Sequence, residues 1–306
     1  MNNIEKRFKK GKKLEKGKKL IIENLENKRI YNPSAPFKIG ENFYLFCRVE
    51  DKASNISETR LFQQKGDKWV LVKEAPVFNL EDPFITFLNK GILFGGVYVE
   101  WENGKVKFLM TNFYYEKNFS DLDPQKPFAH GPLMMKDIRI VDLKDRIGIF
   151  TRPQGEKFFG GRICYLETEN IEDLKNEKIF NQGKLIKLPL KEYEWVGTND
   201  VYFLDENNLG VLAHIAFQDK RGYLHYSALT FVFNRKNFKV KNLKIVARRR
   251  DFPPGPSRSK RFKDVVFPGG FWKTEDGNYL LYCGLSDEEI GVLKIKNPFL
   301  IYNKND

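Results

Sequence analysis

From about residue 28 onward, apolar residues alternate with polar ones or run for four to eight positions, then stop at Gly, Asn, Asp or Pro. That is the pattern of β-strands. Examples are "FYLFCRV" (43–49), "VKFLMTNFYY" (106–115), "YLHYSALTFVF" (223–233) and "YLLYCGL" (279–285). Helical periodicity is nearly absent. "TENIEDLKNEKIF" (168–180) predicts one or two turns capped by Thr168 or Asn170, and the first 27 residues have room for another helix.

One layout recurs. "EDPFITFLNKGILFGGVYVE" (81–100), "MKDIRIVDLKDRIGIFTRPQG" (135–155), "TNDVYFLDENNLGVLAHIA" (198–216) and "KDVVFPGGFWKTEDGNYLLYCGLSD" (263–287) each place an Asp before an apolar run, a turn and a second apolar run. "YNPSAPFKIGENFYLFCRVE" (31–50) is a fifth copy with Asn-Pro in place of the Asp. The residues after the polar position, Pro33, Pro83, Ile138, Val201 and Val265, are 50, 55, 63 and 64 apart. Such a period marks a propeller or solenoid, in which each repeat buries its face on its neighbours. Five copies in 306 residues predict an all-β, five-bladed β-propeller over 28–306, preceded by a basic N-terminal extension over 1–27.

In a propeller the inner strands line a central channel, and equivalent positions form rings around it. The layout therefore puts Asn32, Asp82, Asp137, Asp200 and Asp264 in a ring at one mouth. The far ends of the second strands return to that face with Arg48, Glu50, Glu100, Arg152, His214 and Asp287. Asn199 and Lys136 adjoin ring positions. Converging carboxylates in a partly dry pit raise one another's pKa values, which keeps an acid protonated. Glycoside cleavage requires such a pair. Asp at a strand start also serves as an ordinary turn residue, and each arginine could simply neutralise a ring aspartate. His214 is either a proton carrier or a core histidine; His130 and His225 carry less information. Trp101, Trp195 and Tyr98 could stack on sugars or merely pack.

Composition refines this picture. Hydrophobic residues make up 41% of the chain and aromatics 14%, with 27 Phe, enough for a packed core. The net charge of +13 is concentrated in two segments: residues 1–19 carry nine Lys/Arg and two Glu, and residues 244–263 carry eight Lys/Arg and one Asp. The first lacks the apolar core of a signal peptide and reads as a solvated tail or short charged helix; no run reaches the length of a membrane span. Cys47, Cys164 and Cys283 lie far apart in apolar patterns, as reduced thiols of a cytoplasmic protein. No phosphate-binding P-loop, nucleophile elbow or metal spacing is present. Basic residues on one loop without stacking aromatics are a weak nucleic-acid signal, so neither nucleic acid nor membrane is expected as a partner. The Pro-rich connections 115–134 and 248–264 each lead into a repeat, as functional loops do.

The segments "KDIRIVDL", "IGIFTRPQG", "GVLAHIA", "DFPPGPSRSKRFKDVVFPGG", "YCGLSD", "EDPF" and "FCRVE" resemble the propeller family known as domain of unknown function 1861, over about 30–300. More distantly, "NPS", "RVE" and "EDP" look like motifs of glycoside hydrolase family 130, the β-mannoside phosphorylases and hydrolases. That resemblance implies Asp82 as proton donor, Asn32 and Ser34 as sugar ligands and Arg48 as a phosphate ligand. The expectation is a cytoplasmic carbohydrate-active enzyme, a glycosidase or glycoside phosphorylase acting on an oligosaccharide or glycoside. Asp137 or Asp264 would be the second catalytic carboxylate, and Arg48, Arg152 and Lys136 would bind phosphate or an anionic substituent. No cofactor is expected, with inorganic phosphate a possible co-substrate. The alternative is a non-catalytic sugar-binding or interaction propeller.

Overall fold

The computed structural model describes residues 7–300 except 24, 55, 156, 157 and 159. Its strands form five sheets arranged as a five-bladed β-propeller. Blade 1 is built on Lys28–Pro33, Asn42–Asp51, Ser57–Lys65 and Lys68–Leu71, and blade 2 on Glu81–Leu88, Gly91–Glu102, Lys105–Glu116 and Ala129–His130. Blade 3 comprises Arg139–Asp142, Ile147–Thr151, Cys164–Thr168 and Lys184–Leu185. Blade 4 comprises Glu194–Phe203, Asn208–Gln218, Leu224–Asn234 and Lys239–Ala247. Blade 5 has three strands of its own: Val266–Lys273, Tyr279–Leu285 and Glu289–Ile295.

The ring is closed by five apolar clusters, one between each pair of neighbouring blades. Blades 3 and 4 share Phe150, Tyr165, Val211 and Phe231; blades 4 and 5 share Leu212, Val246, Phe271 and Leu281. The last seam joins Leu45, Phe62 and Trp69 of blade 1 to Tyr282 and Ile290 of blade 5. Cys47, Cys164 and Cys283 are free and buried.

The basic N-terminal segment is not a free tail. Lys9–Lys10 pairs in parallel with Lys239–Ala247 of blade 4, Lys18–Lys19 is the antiparallel fourth strand of blade 5, and Ile21–Ile22 pairs in parallel with Lys68–Leu71 of blade 1. The segment thus laces across the outer edges of three blades, and its lysines line a strand edge, where charge guards against unwanted pairing. The short helical segment after Asn170 forms as two 3₁₀ turns, Ile171–Lys175 and Glu177–Gln182, capped by Asn170 and Asn176. No helix among the described residues is long and apolar enough to cross a membrane.

Candidate active site

Four of the five inner strands break their pairing register near the same height. The breaks fall at Asn32 in blade 1, at Asp82–Pro83 opposite Gly96 in blade 2, at Asn199 in blade 4 and at Gly269 in blade 5. In blade 3, Asp137 stands just before the inner strand. Asn32, Asp82 and Asp137 take left-handed backbone, with φ of 44°, 50° and 59°. Asn and Asp tolerate that conformation best after glycine. The repeated polar residue is therefore at once a backbone device and a side chain aimed inward.

Two of the predicted ring members are corrected. Asn199, not Asp200, occupies the blade 4 position. Asp200 accepts from Val201 N and the Tyr202 hydroxyl, and it lines a cavity of about 590 Å³ built by all five blades from the distal ends of their inner strands. Burial pushes its pKa up to about 7, against the pull of Tyr202, Val201 and Arg139. Asp264 is more than half exposed and bonds His225 Nδ1 at 2.7 Å, so it is not brought to the cluster. Gly269 takes the blade 5 place, leaving a gap in the ring of side chains.

One half of the pit is organised around Arg48. Its Nε donates to Ser57 (2.9 Å), its Nη2 to Glu81 (2.8 Å) and Glu50 (3.2 Å), and its Nη1 lies 3.6 Å from Asp82 Oδ1. The guanidinium sits 4.9 Å above the Tyr31 ring. Burial opposes the Arg48 charge, yet Glu81, Tyr31, Asp82 and Asp287 more than restore it and raise its pKa. Glu50 is wholly enclosed by Tyr31, Arg29, Arg48 and Arg258. It therefore organises charge and cannot touch a substrate. Asp82 Oδ1 accepts from Asn32 Nδ2 at 2.8 Å, and Asn32 fits only because Gly284 lacks a Cβ, which would stand 2.0 Å from its Oδ1.

The other half is a buried triad. Arg152 donates to Asp137 Oδ2 at 2.9 Å and to the Gly160 carbonyl at 2.7 Å, and His214 Nε2 lies 3.7 Å from the same carboxylate oxygen. Burial acts to raise the Asp137 pKa, but Arg152, His214, Lys136 and Arg139 hold it down at about 2. Burial drives His214 down to about 3 despite Asp137, so it is neutral. Its Nδ1 meets Asn199 Oδ1 at 2.9 Å, and its ring stacks on Tyr226. A Cβ at Gly197 would lie 2.3 Å from Asp137 and 2.5 Å from His214. An ionised Asp137, paired with Arg152 through Oδ2, is a poor proton donor, so its predicted catalytic role passes to positioning.

Other predicted ligands are likewise placed. Ser34 is fully buried, donating to the Ala35 carbonyl and accepting from Phe46 N. It is a structural pin rather than a sugar ligand. Ser34→Ala should cost about 1 kcal/mol and lower Tm by a few degrees; lost turnover at unchanged Tm would return it to the site. Glu100 accepts from Tyr98, outside the cluster. Lys136 is half-buried, acts electrostatically on Asp137, His214, Glu81 and Tyr226, and makes no hydrogen bond or ion pair among the described residues.

Arg139 escaped the sequence reading because it hides inside the strand "IRIV". It is 4% exposed, donates to the Asn199 and Ile138 carbonyls and stacks on Phe84. Its charge acts on Asp82 and Asp137 on one side and Asp200 on the other, while burial lowers its pKa. Among the ring residues, Asp137 Oδ1, Asn32 Oδ1 and Asn199 Nδ2 have no hydrogen-bond partner among the described residues. Buried polar atoms of this kind ordinarily meet water or a ligand.

The sequence matches DUF1861, a family described as protein of unknown function, over residues 6–301. The chain belongs to DUF1861. The match takes in the N-terminal lacing as well as the blades. Comparison with curated proteins gives no match. Among solved structures, this DUF1861 chain is similar to MPT-4, a mannose phosphorylase from Leishmania mexicana in complex with phosphate ion: 26% identity, TM-score 0.86, covering 95% of this chain and 92% of that one. MPT-1, a GDP-Man-dependent mannosyltransferase from Leishmania mexicana, is 30% identical with a TM-score of 0.84, covering 95% and 93%. A glycosyl hydrolase from Bacteroides ovatus shares the fold at 13% identity and TM-score 0.62, covering 97% and 96%. The DUF1861 chain therefore has a fold of carbohydrate-active enzymes.

Proposed function

We propose that the pit transfers a mannosyl group between a sugar hydroxyl and inorganic phosphate, which makes the protein a mannoside phosphorylase. The observation that carries this reading is Lys136. Arg48 and Arg152 are committed to carboxylates and carbonyls, whereas Lys136 is a half-buried cation with no hydrogen-bond partner among the described residues. A compact ammonium with three donors suits a phosphate oxygen. The likeness to a phosphate-bound mannose phosphorylase over nearly the whole chain supports the same reading.

In this scheme Lys136 seats the phosphate beside the Asp137–Arg152–His214 triad. The triad sets the local charge, and burial keeps His214 neutral. Asp82, braced by Asn32 and Arg48, is the proton donor to the departing sugar hydroxyl. Asp82→Asn should lower kcat about 100-fold or more, because an amide cannot donate a carboxylic proton. Wild-type turnover in the variant would exclude Asp82 from the reaction.

The test is product release from manno-oligosaccharides and aryl mannosides, β-mannosides included, with and without phosphate. Phosphate-dependent mannosyl phosphate supports the reading, and phosphate-independent release would make the protein a hydrolase. A second reading, transfer from GDP-mannose, is favoured by the loop carrying Arg258, Lys260, Arg261 and Lys263, whose Arg258 reaches Glu50. It rests also on the 30% identity to a mannosyltransferase, and GDP-mannose in the same assay decides it. No product from any donor would favour a binding propeller.

A further inference from the structure

At the opposite mouth of the channel lies the cavity of about 590 Å³ that Asp200 lines. Adjacent residues of a strand face opposite ways, so the chain that turns Asn199 into the pit turns Asp200 into this cavity. The paired glycines of blade 5 divide the same way. Gly269 leaves the gap in the pit, and Gly270 leaves room for Asp200: a Cβ there would stand 2.8 Å from Asp200 Oδ2 and 2.3 Å from the Ala35 Cβ. Asp200 Oδ1 accepts from Val201 N at 2.9 Å, and Oδ2 accepts from the Tyr202 hydroxyl, which itself accepts from Phe271 N at 2.6 Å. A carboxylate offers about four acceptor positions, so capacity remains for a ligand. The chemistry of the pit makes no use of this group.

The walls are aromatic. Trp272 is held edge-on by Phe43, with ring centroids 4.7 Å apart at 80°, and Phe87 leans on Phe37 at 6.0 Å. Lys38, Phe87, Leu204 and Lys273 are exposed and form a rim through which a ligand enters. A cavity of this size, with apolar walls and a few convergent polar groups, is the usual form of a small-molecule site. The charges select its occupant. Asp200 repels an anion, the rim lysines repel a cation, and a purely apolar ligand would desolvate the carboxyl without compensation. A neutral ring with an apolar C–H face and hydroxyls at its edge satisfies all three conditions. Burial raises the Asp200 pKa to about 7, so near neutral pH the carboxyl both accepts from and donates to hydroxyls.

We propose that the distal cavity is a second, non-catalytic carbohydrate site, which binds a neutral pyranose with its C–H face on the aromatic wall and its hydroxyls on Asp200. The choice of a mannoside as that sugar rests on the mannosyl-transfer reading above; the cavity, its wall and its carboxyl do not depend on it.

The experiment incorporates 5-fluorotryptophan and follows the fluorine NMR signals of the four Trp while mannobiose is added without phosphate. Trp272 borders the distal cavity, and Trp195, whose Nε1 donates to the Tyr226 hydroxyl beside His214, borders the pit. Trp272→Phe and Trp195→Phe assign the two signals. The Trp272 signal should shift saturably. Phe87 is half exposed, so Phe87→Ala spares the core; it should weaken the binding seen at Trp272 about tenfold, the contribution of one stacked ring, and leave kcat unchanged. A Trp272 signal unmoved by mannobiose, or an unchanged binding curve in Phe87→Ala, would overturn the distal site, while phosphate-dependent turnover by wild type would leave the phosphorylase reading standing. A saturable Trp272 shift weakened in Phe87→Ala, without turnover of any mannoside, would support the site and overturn that reading.

Discussion

Removal of residues 1–23 is expected to lower Tm on the order of 10 °C, taking each buried apolar side chain at about 1.5–3 kcal/mol. Blade 5 would lose its fourth strand, and blades 4 and 1 the strands beside it. Phe8 would leave the core between blades 3 and 4, and Leu20 and Ile22 the seam between blades 1 and 5. Gly17 lies so close that a Cβ there would stand 2.4 Å from Phe252. Ion pairs such as Lys19–Glu289 at 2.8 Å are partly exposed and contribute little. The loss should therefore persist in high salt, which calorimetry of both chains at two ionic strengths would show. A Tm shift below about 2 °C would mean that the five seams alone close the ring.

This lacing was illegible in the sequence for a physical reason. Two-residue strands such as Lys9–Lys10 are too short to display a period, and their lysines read as a charged tail. The blades were legible because each buries a strand on both sides, and the resulting apolar runs recur at each repeat. In blades 1 to 3 the ring was legible too, since left-handed backbone selects Asn or Asp at Asn32, Asp82 and Asp137. In blade 4 two polar residues are adjacent, and a slip of one residue exchanges the faces of a strand. Asn199 thus turns into the pit and Asp200 toward the far cavity. In blade 5 the bulge falls on Gly269, which carries no polar signal, and the acid that fits the repeat there is the exposed Asp264.

The same logic separates residues that react from residues that hold them. The sequence presents Arg48, Arg152 and Lys136 as equivalent cations, because charge is all it displays. Only the folded chain shows that both arginines are spent on buried carboxylates and that Lys136 is not. Arg139 is the extreme case: a lone arginine in a hydrophobic strand, acting between the two mouths of the channel on Asp82, Asp137 and Asp200.

Arg152→Met is expected to destabilise the protein by about 3–5 kcal/mol, the usual cost of leaving a buried partner charge uncompensated. Asp137 is 1% exposed, and in the variant its ionised form would keep only the nearly neutral His214, Lys136 and Arg139 for company. The pH dependence identifies the cause. In wild type the Asp137 pKa is held down at about 2 from an ordinary 3.8, so its stabilising contribution is complete above 3.8 and fades as pH falls through 2. Without the guanidinium, burial lifts the Asp137 pKa, and protonation relieves the variant at a higher pH than it affects wild type. The Tm gap between the two proteins should accordingly be widest near pH 8 and narrow toward pH 4, by thermal melts at matched ionic strength. A gap independent of pH would assign the loss to packing of the Arg152 stem beneath Gly161 instead, where a Cβ would stand 2.3 Å from its Nε. Asp137→Asn supplies the complementary control: it removes the charge that the arginine serves, so adding Arg152→Met to it should cost less than in wild type.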